Sequence, residues 1–168
     1  MAFFSNWFKA NRNYREPRSG IEFPETIGSF KREKTTPYEA EPGKPGVAIS
    51  YESGDAAVTI YLRAKGVSDH NTSEEYLKDS LAATKALEEQ GKYSNVKIYE
   101  FDLSKEKAGW RTGAFTSRSD THFLVSFILC KIAPGYLVKI RATTGNPKND
   151  ALQSFLGELQ EFIDRKSR

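Results

Sequence analysis

An antiparallel α+β domain is the fold class this sequence predicts, and three observations carry the prediction. Runs rich in β-branched and aromatic residues recur between Gly- and Pro-containing breaks. Two longer stretches repeat apolar residues at helical spacing instead. Only one of these stands between strands, too few for the crossovers of a parallel sheet. The order reads β-β-β-α-β-β-β-β-α, a sheet of six or seven strands with two main helices and a short helix ahead of them.

Each element has its own signals. Phe30–Glu39 reads as a first strand, ended by Pro42, Gly43, Pro45 and Gly46. Val47–Glu52 and Ala56–Lys65 form a hairpin about Ser53-Gly54-Asp55. Thr72 and Glu75 are spaced as a capping box, and Gly91 closes the helix they open. Tyr76, Leu77, Leu81, Thr84 and Leu87 give that helix its apolar face. Four strands follow at Asn95–Leu103, Trp110–Ser117, Thr121–Ile132 and Tyr136–Thr143, the last two joined by the tight turn Pro134-Gly135. A final helix over Asn149–Arg165 carries Leu152, Phe155, Leu156, Leu159, Phe162 and Ile163 in one stripe.

Strand parity adds a constraint. In Phe123–Ile132 both faces are apolar, as expected of a central strand covered on both sides, and Ala56–Ala64 behaves likewise. Two helices can cover one face. The other then requires the N-terminal arm, the Pro-rich 37–46 loop, a second subunit or a ligand.

The chain has 168 residues, enough for one domain with its own core, and no apolar run near the ~20 residues needed to cross a bilayer. Against 25 Lys+Arg stand 22 Asp+Glu. Residues 1–18 hold Lys9, Arg12, Arg15 and Arg18 against Glu16, which leaves residues 19–168 with no net charge. A neutral body argues against nucleic-acid binding, which favours a dominant basic field. The chain therefore divides into an N-terminal arm, 1–18, and a single domain, 19–168.

That arm places Phe3, Phe4, Trp7 and Phe8 on one side of two helical turns, with Lys9, Arg12 and Arg15 as a basic stripe beside them. Two turns are marginal alone in water, so the arm needs a surface. It can pack on its own sheet or a second subunit, lie in a membrane interface, or enter a partner's groove. No secretory signal pattern is present, which points to a cytoplasmic protein, peripheral at a membrane if the arm anchors it.

Catalytic and metal signatures are absent from the chain. His70 reads as a solvated loop residue and His122 as the opening of a strand. Ser119-Asp120-Thr121-His122 resembles catalytic residue types, but adjacent residues cannot supply the geometry of a triad. Cys130, alone and flanked by Leu129 and Ile132, reads as a buried inert thiol. Asn71-Thr72-Ser73 matches a glycosylation sequon but reads as a helix cap, and Pro42/Pro45 is a formal PxxP in a connector. Lys139 and Arg141 share a strand face, with Arg111 across the sheet and Phe115 at the same parity as Arg111. Together with Trp110 they outline a pocket for an acidic ligand. Nothing calls for a cofactor or a metal.

The run Phe23-Pro24-Glu25-Thr26-Ile27-Gly28-Ser29-Phe30, the paired strands, Val138-Lys139-Ile140-Arg141-Ala142-Thr143 and the amphipathic C-terminal helix resemble small bacterial proteins of PsbP-like architecture over residues 21–166. The resemblance implies a non-enzymatic accessory protein that binds a protein partner or self-associates. It carries over no catalytic residue, and it does not account for the aromatic arm. Three classes stay open: an interaction protein using the arm or the adjacent sheet face, a membrane-surface protein held by the arm, and a small-ligand binder or enzyme with a pocket near Trp110 and Arg141.

Overall fold

The computed structural model describes residues 13–41, 44–66, 69–91, 94–101, 109–118, 122–146 and 148–166. The α+β class and the element order are as the sequence predicts. The main sheet has eight antiparallel strands rather than six or seven, because the two-residue strand β3 (Thr26–Ile27) pairs with the start of β4 (Phe30–Glu41). β5 (Lys44–Ser53) and β6 (Ala56–Ala64) complete one meander. Helix α1 (Ser73–Glu89) then carries the chain to the far edge. From there β7 (Ser94–Phe101), β8 (Trp110–Arg118), β9 (Phe123–Ala133) and β10 (Tyr136–Thr144) run back, and β10 docks on β6. Helix α2 (Asp150–Lys166) ends the chain.

The turns follow from their residues. Gly54 takes φ +57° between Ser53 and Ala56, which pair across the hairpin, and Gly135 takes φ +84° after Pro134 in the β9–β10 turn. The capping box holds with one change of partner. Thr72 Oγ1 accepts from the Glu75 N–H at 3.2 Å, while the Glu75 carboxylate accepts from the Asn71 N–H at 3.1 Å. Ser73 anchors this helix end to the sheet, its hydroxyl donating to Gly109 O at 2.6 Å and accepting from Ile132 N–H at 3.2 Å.

The expectation that both helices share one face is corrected. Residues 123–133 are apolar on both sides because each side receives a different helix. On one face α1 packs Tyr76, Leu77 and Leu81 over Phe115, Ile128 and Cys130. On the other, α2 lays Leu152, Phe155, Leu159 and Ile163 against Phe30, Tyr51, Ile60 and Ile140. Phe155 stacks on Phe30 with ring centroids 4.3 Å apart.

The Pro-rich 37–46 segment is not a covering loop. β4 runs on through Pro37 and β5 begins at Lys44, so Pro45 lies in a strand. Past the end of β3, β4 is the sheet's edge, which suits Pro37, while Pro45 lies in β5 just beyond its last pairing with β6 at Gly46–Arg63.

Before the sheet, Tyr14–Arg15 (β1) pairs with Glu22–Phe23 (β2) in a small hairpin. Its turn closes on Glu16, a fully buried carboxylate that accepts from the Ser19 N–H at 2.7 Å and the Ser19 hydroxyl at 2.8 Å. Ile21 and Phe23 are buried in the α2-side core, with Tyr14 packed against it. Arg15, assigned by its spacing to a helical stripe with Lys9 and Arg12, instead stands exposed in β1. Phe3, Phe4, Trp7, Phe8, Lys9 and Arg12 lie outside the described residues.

Candidate functional site

The two helices leave the sheet unequally covered. α1 sits over β7, β8 and β9, and no described helix packs on the same face of β4, β5 and β6. Strand register sets what this open half presents. Thr36, Ala48, Tyr61 and Lys139 form one row across β4, β5, β6 and β10; Lys34, Ser50, Thr59 and Arg141 form the next. Short side chains at Ala48, Ser50 and Thr59 make the floor, with longer ones from β10 and β4 on either side.

Both cations of β10 rest on aromatic rings. Lys139 Nζ lies 4.9 Å from the Tyr61 ring centroid, and the Arg141 guanidinium lies 5.5 Å from that of Phe115. Tyr38 meets Tyr61 edge-on at 5.8 Å by crossing Gly46. A Cβ there would stand 2.8 Å from the Tyr38 ring and 2.9 Å from Arg63 Cβ, so glycine is what lets the ring lie down. Arg63 closes one end of the surface and is neutralised. Both of its terminal nitrogens bond Asp69 at 2.8 Å, and Asp69 also accepts from the Gly66 N–H at 2.7 Å.

Lys139 differs from Arg63. It is half-buried and forms no ion pair among the described residues. Burial pushes its ammonium below the ordinary lysine value of 10.5, and the Arg141 and Arg63 charges push it the same way. Protonated Lys139 therefore destabilises the fold, because the folded state gives up its proton more readily than the unfolded chain. Lys139→Met is expected to raise stability by ~1 kcal/mol at neutral pH, within the range typical of relieving such a site. Scanning calorimetry should show a midpoint a few degrees higher. The advantage should shrink as pH rises from the lowered Lys139 value to 10.5, where the wild-type lysine sheds its charge in both states. An unchanged or lower midpoint at neutral pH would refute the account.

The structure brings together only part of the pocket expected near Trp110. Lys139, Arg141 and Phe115 share the α1 face, and Arg141 reaches across β9 to the Phe115 ring. Arg111 shares that face but lies two strands from Lys139, with buried Cys130 between them. Its guanidinium donates to the Trp110 carbonyl at 3.1 Å. Trp110 points the other way, fully buried under α2, where its indole N–H donates to Asp164 at 2.9 Å beside the Lys131–Asp164 ion pair. Tyr61, Tyr38, Thr59 and Ser50 were not singled out by the sequence reading. Tyr61 and Thr59 meet β10 through the β6–β10 pairing, which no local signal announces, and Tyr38 and Ser50 are brought beside them by the β4–β5 and β5–β6 pairings.

The remaining reactive side chains lie elsewhere. Burial pushes the Cys130 thiol up to about 12, so it is not a nucleophile at neutral pH. His70 is not a solvated turn residue: its ring stacks on Tyr76 at 5.2 Å and bonds Asp79 through Nε2. His122 is exposed just ahead of β9. Among the described residues no three His, Cys, Asp or Glu side chains gather as metal ligands, and no helix is long and apolar enough to cross a membrane. Comparison with protein-family models gives no match, and comparison with curated proteins gives none.

Proposed function

We propose that the protein is a non-catalytic accessory protein that binds a protein partner across the open half of the sheet beside α1. The observation that carries this reading is Lys139: half-buried, held over Tyr61, and left without a counter-charge among the described residues. A desolvated, unneutralised cation costs stability, and proteins keep such groups where a bound group offsets the cost. The surface also suits a polypeptide more than a small molecule, being broad, shallow and floored by short side chains. The sequence resemblance to PsbP-like proteins, which are mostly accessory proteins, is a second support for a binding role.

Site-specific photo-crosslinking tests the reading. A benzoylphenylalanine at Thr36, exposed on the open face, should give one adduct of defined mass in the cells of origin. The same probe at Glu158, on the outer side of α2, should not. No adduct at Thr36, or equal adducts at both positions, would remove the open face from consideration.

A further inference from the structure

Resting on that reading, we infer that residues 1–12 of the same chain are the resident cover of the open face, and that the partner binds by displacing them. Three features converge on this segment.

The first is where the chain enters. The described residues begin at Asn13, and β1 follows at once. Its hairpin stands beside the free edge of β4. At one end the Arg32 guanidinium donates to the carbonyl of Phe23, the residue paired with Tyr14. At the other, burial raises the Tyr38 hydroxyl, and Arg18 is near enough for its charge to pull that group back. The Tyr38 ring lies on the open face against Tyr61. Residues 1–12 therefore start from the rim of the open half, at its Arg32 end.

The second is size. The open half is three strand spacings wide, about 14 Å, and about 20 Å long from Gly46 to Glu52 along β5. A helix of twelve residues is about 18 Å long and 10–12 Å across, so one fits beside α1 and fills the space. The spacing of Phe3, Phe4, Trp7 and Phe8 gives such a helix a single aromatic side. At that length it is marginal in water without a surface to lie on.

The third is chemistry. The short side chains of Ala48, Ser50 and Thr59 leave depth for large rings, with Tyr61 and Lys139 half-buried beside them. An aromatic face is a neutral surface that a lone ammonium accepts, so a ring of the arm can cover Lys139 as Tyr61 does. At the entry end Lys31 and Lys34 are balanced by Glu33 and Glu52, all four exposed, so Lys9 and Arg12 meet no excess of like charge. At the far end Arg63 is neutralised by Asp69.

The test places benzoylphenylalanine at Thr36 in the purified full chain, at low concentration, and maps the crosslinked peptides by mass spectrometry. A crosslink within one chain, from position 36 to a residue of 1–12, is expected. It should be lost in Phe4→Ser/Trp7→Ser/Phe8→Ser, which removes three buried rings at once. Acrylamide quenching of the wild-type chain needs no variant. Trp110 is fully buried, so quenching reports Trp7, and it should be weak. In the cells of origin the partner adduct at Thr36 should rise in the triple variant, since nothing then competes for the face. No internal crosslink, strong quenching, or a crosslink joining two chains would overturn the inference, the last by giving the face to the arm of a second copy. So would a partner adduct lost in the triple variant, which would make the arm part of the partner's site. Failure here is distinguishable from failure of the broader reading. A cellular adduct without the internal crosslink keeps the partner face and rejects the arm, whereas the internal crosslink without any adduct keeps the cover and rejects the partner.

Discussion

Trp110→Ala will lower the stability of this protein by ~3–5 kcal/mol, the range for deleting a large buried aromatic side chain. For a chain of this size that is a fall in thermal midpoint on the order of 10 °C. Trp110 is fully buried at the start of β8, and its site cannot collapse easily. The ring is held from the α2 side by its bond to Asp164, and Lys131 Nζ lies 5.7 Å from the ring centroid while pairing with the same carboxylate. Trp110→Phe separates the two contributions. It keeps most of the apolar area but removes the indole N–H, and Asp164 retains Lys131. The cost should then be nearer ~1–2 kcal/mol, that of one hydrogen bond to a charged group and a small void. Urea titration with both variants reads this directly, the slope staying constant while the midpoint moves. If Phe proves as costly as Ala, the link to Asp164 rather than the burial holds α2 in place. Neither variant should alter crosslinking from Thr36, since Trp110 faces away from the open surface.

That separation was available to sequence reasoning. Neighbouring strand residues point to opposite faces, so Trp110 and Arg111 cannot line one pocket on the same side of a sheet. Grouping them by proximity in the chain overrode the parity that correctly paired Lys139 with Arg141, and Arg111 with Phe115. Local signals were reliable elsewhere for the same reason: each depended on residues close in sequence. The Thr72–Glu75 cap, the Gly54 and Pro134-Gly135 turns, and the stripe from Leu152 to Ile163 all formed where expected.

The docking of β10 on β6 had no such signal. Seventy or more residues separate the partners Tyr61 and Lys139, and the pairing is decided by which meander edge buries the most apolar surface. The Lys139–Tyr61 contact, the heart of the candidate site, therefore had to await the structure. The opposite-face placement of the helices was half legible. The two-sided apolar pattern of residues 123–132 required two covers, but nothing in it said that each would be a helix. His70 was misjudged by composition. Its polar neighbours suggested a solvated loop, yet the start of α1 carries Tyr76 to within stacking distance of its ring.

Asp69→Ala will cost ~3–5 kcal/mol, because it strands a buried guanidinium without its partner. The Arg63 and Asp69 side chains retain 10% and 3% of their exposure, so water cannot replace the lost carboxylate. The Gly66 N–H loses its acceptor at the same time. Asp69→Asn tests the division of these losses. An amide oxygen can still accept from Gly66 N–H but carries no charge, so the variant should recover only the smaller, backbone part. The double variant Arg63→Met/Asp69→Leu, which removes both charges and keeps volume, should be far less damaged than Asp69→Ala, since replacing a buried pair by apolar groups is often near neutral. A double variant as unstable as Asp69→Ala would show that the pair holds the loop ahead of α1 by geometry rather than by charge balance. The same double variant bears on the open face. Arg63 is one of the two cations that depress the Lys139 ammonium, so its loss should bring that group back toward its ordinary value and narrow the stability gain from Lys139→Met. If the gain is instead undiminished, burial alone sets the cost of Lys139, and Arg63 serves only to fix the edge of the surface where Tyr38 crosses Gly46.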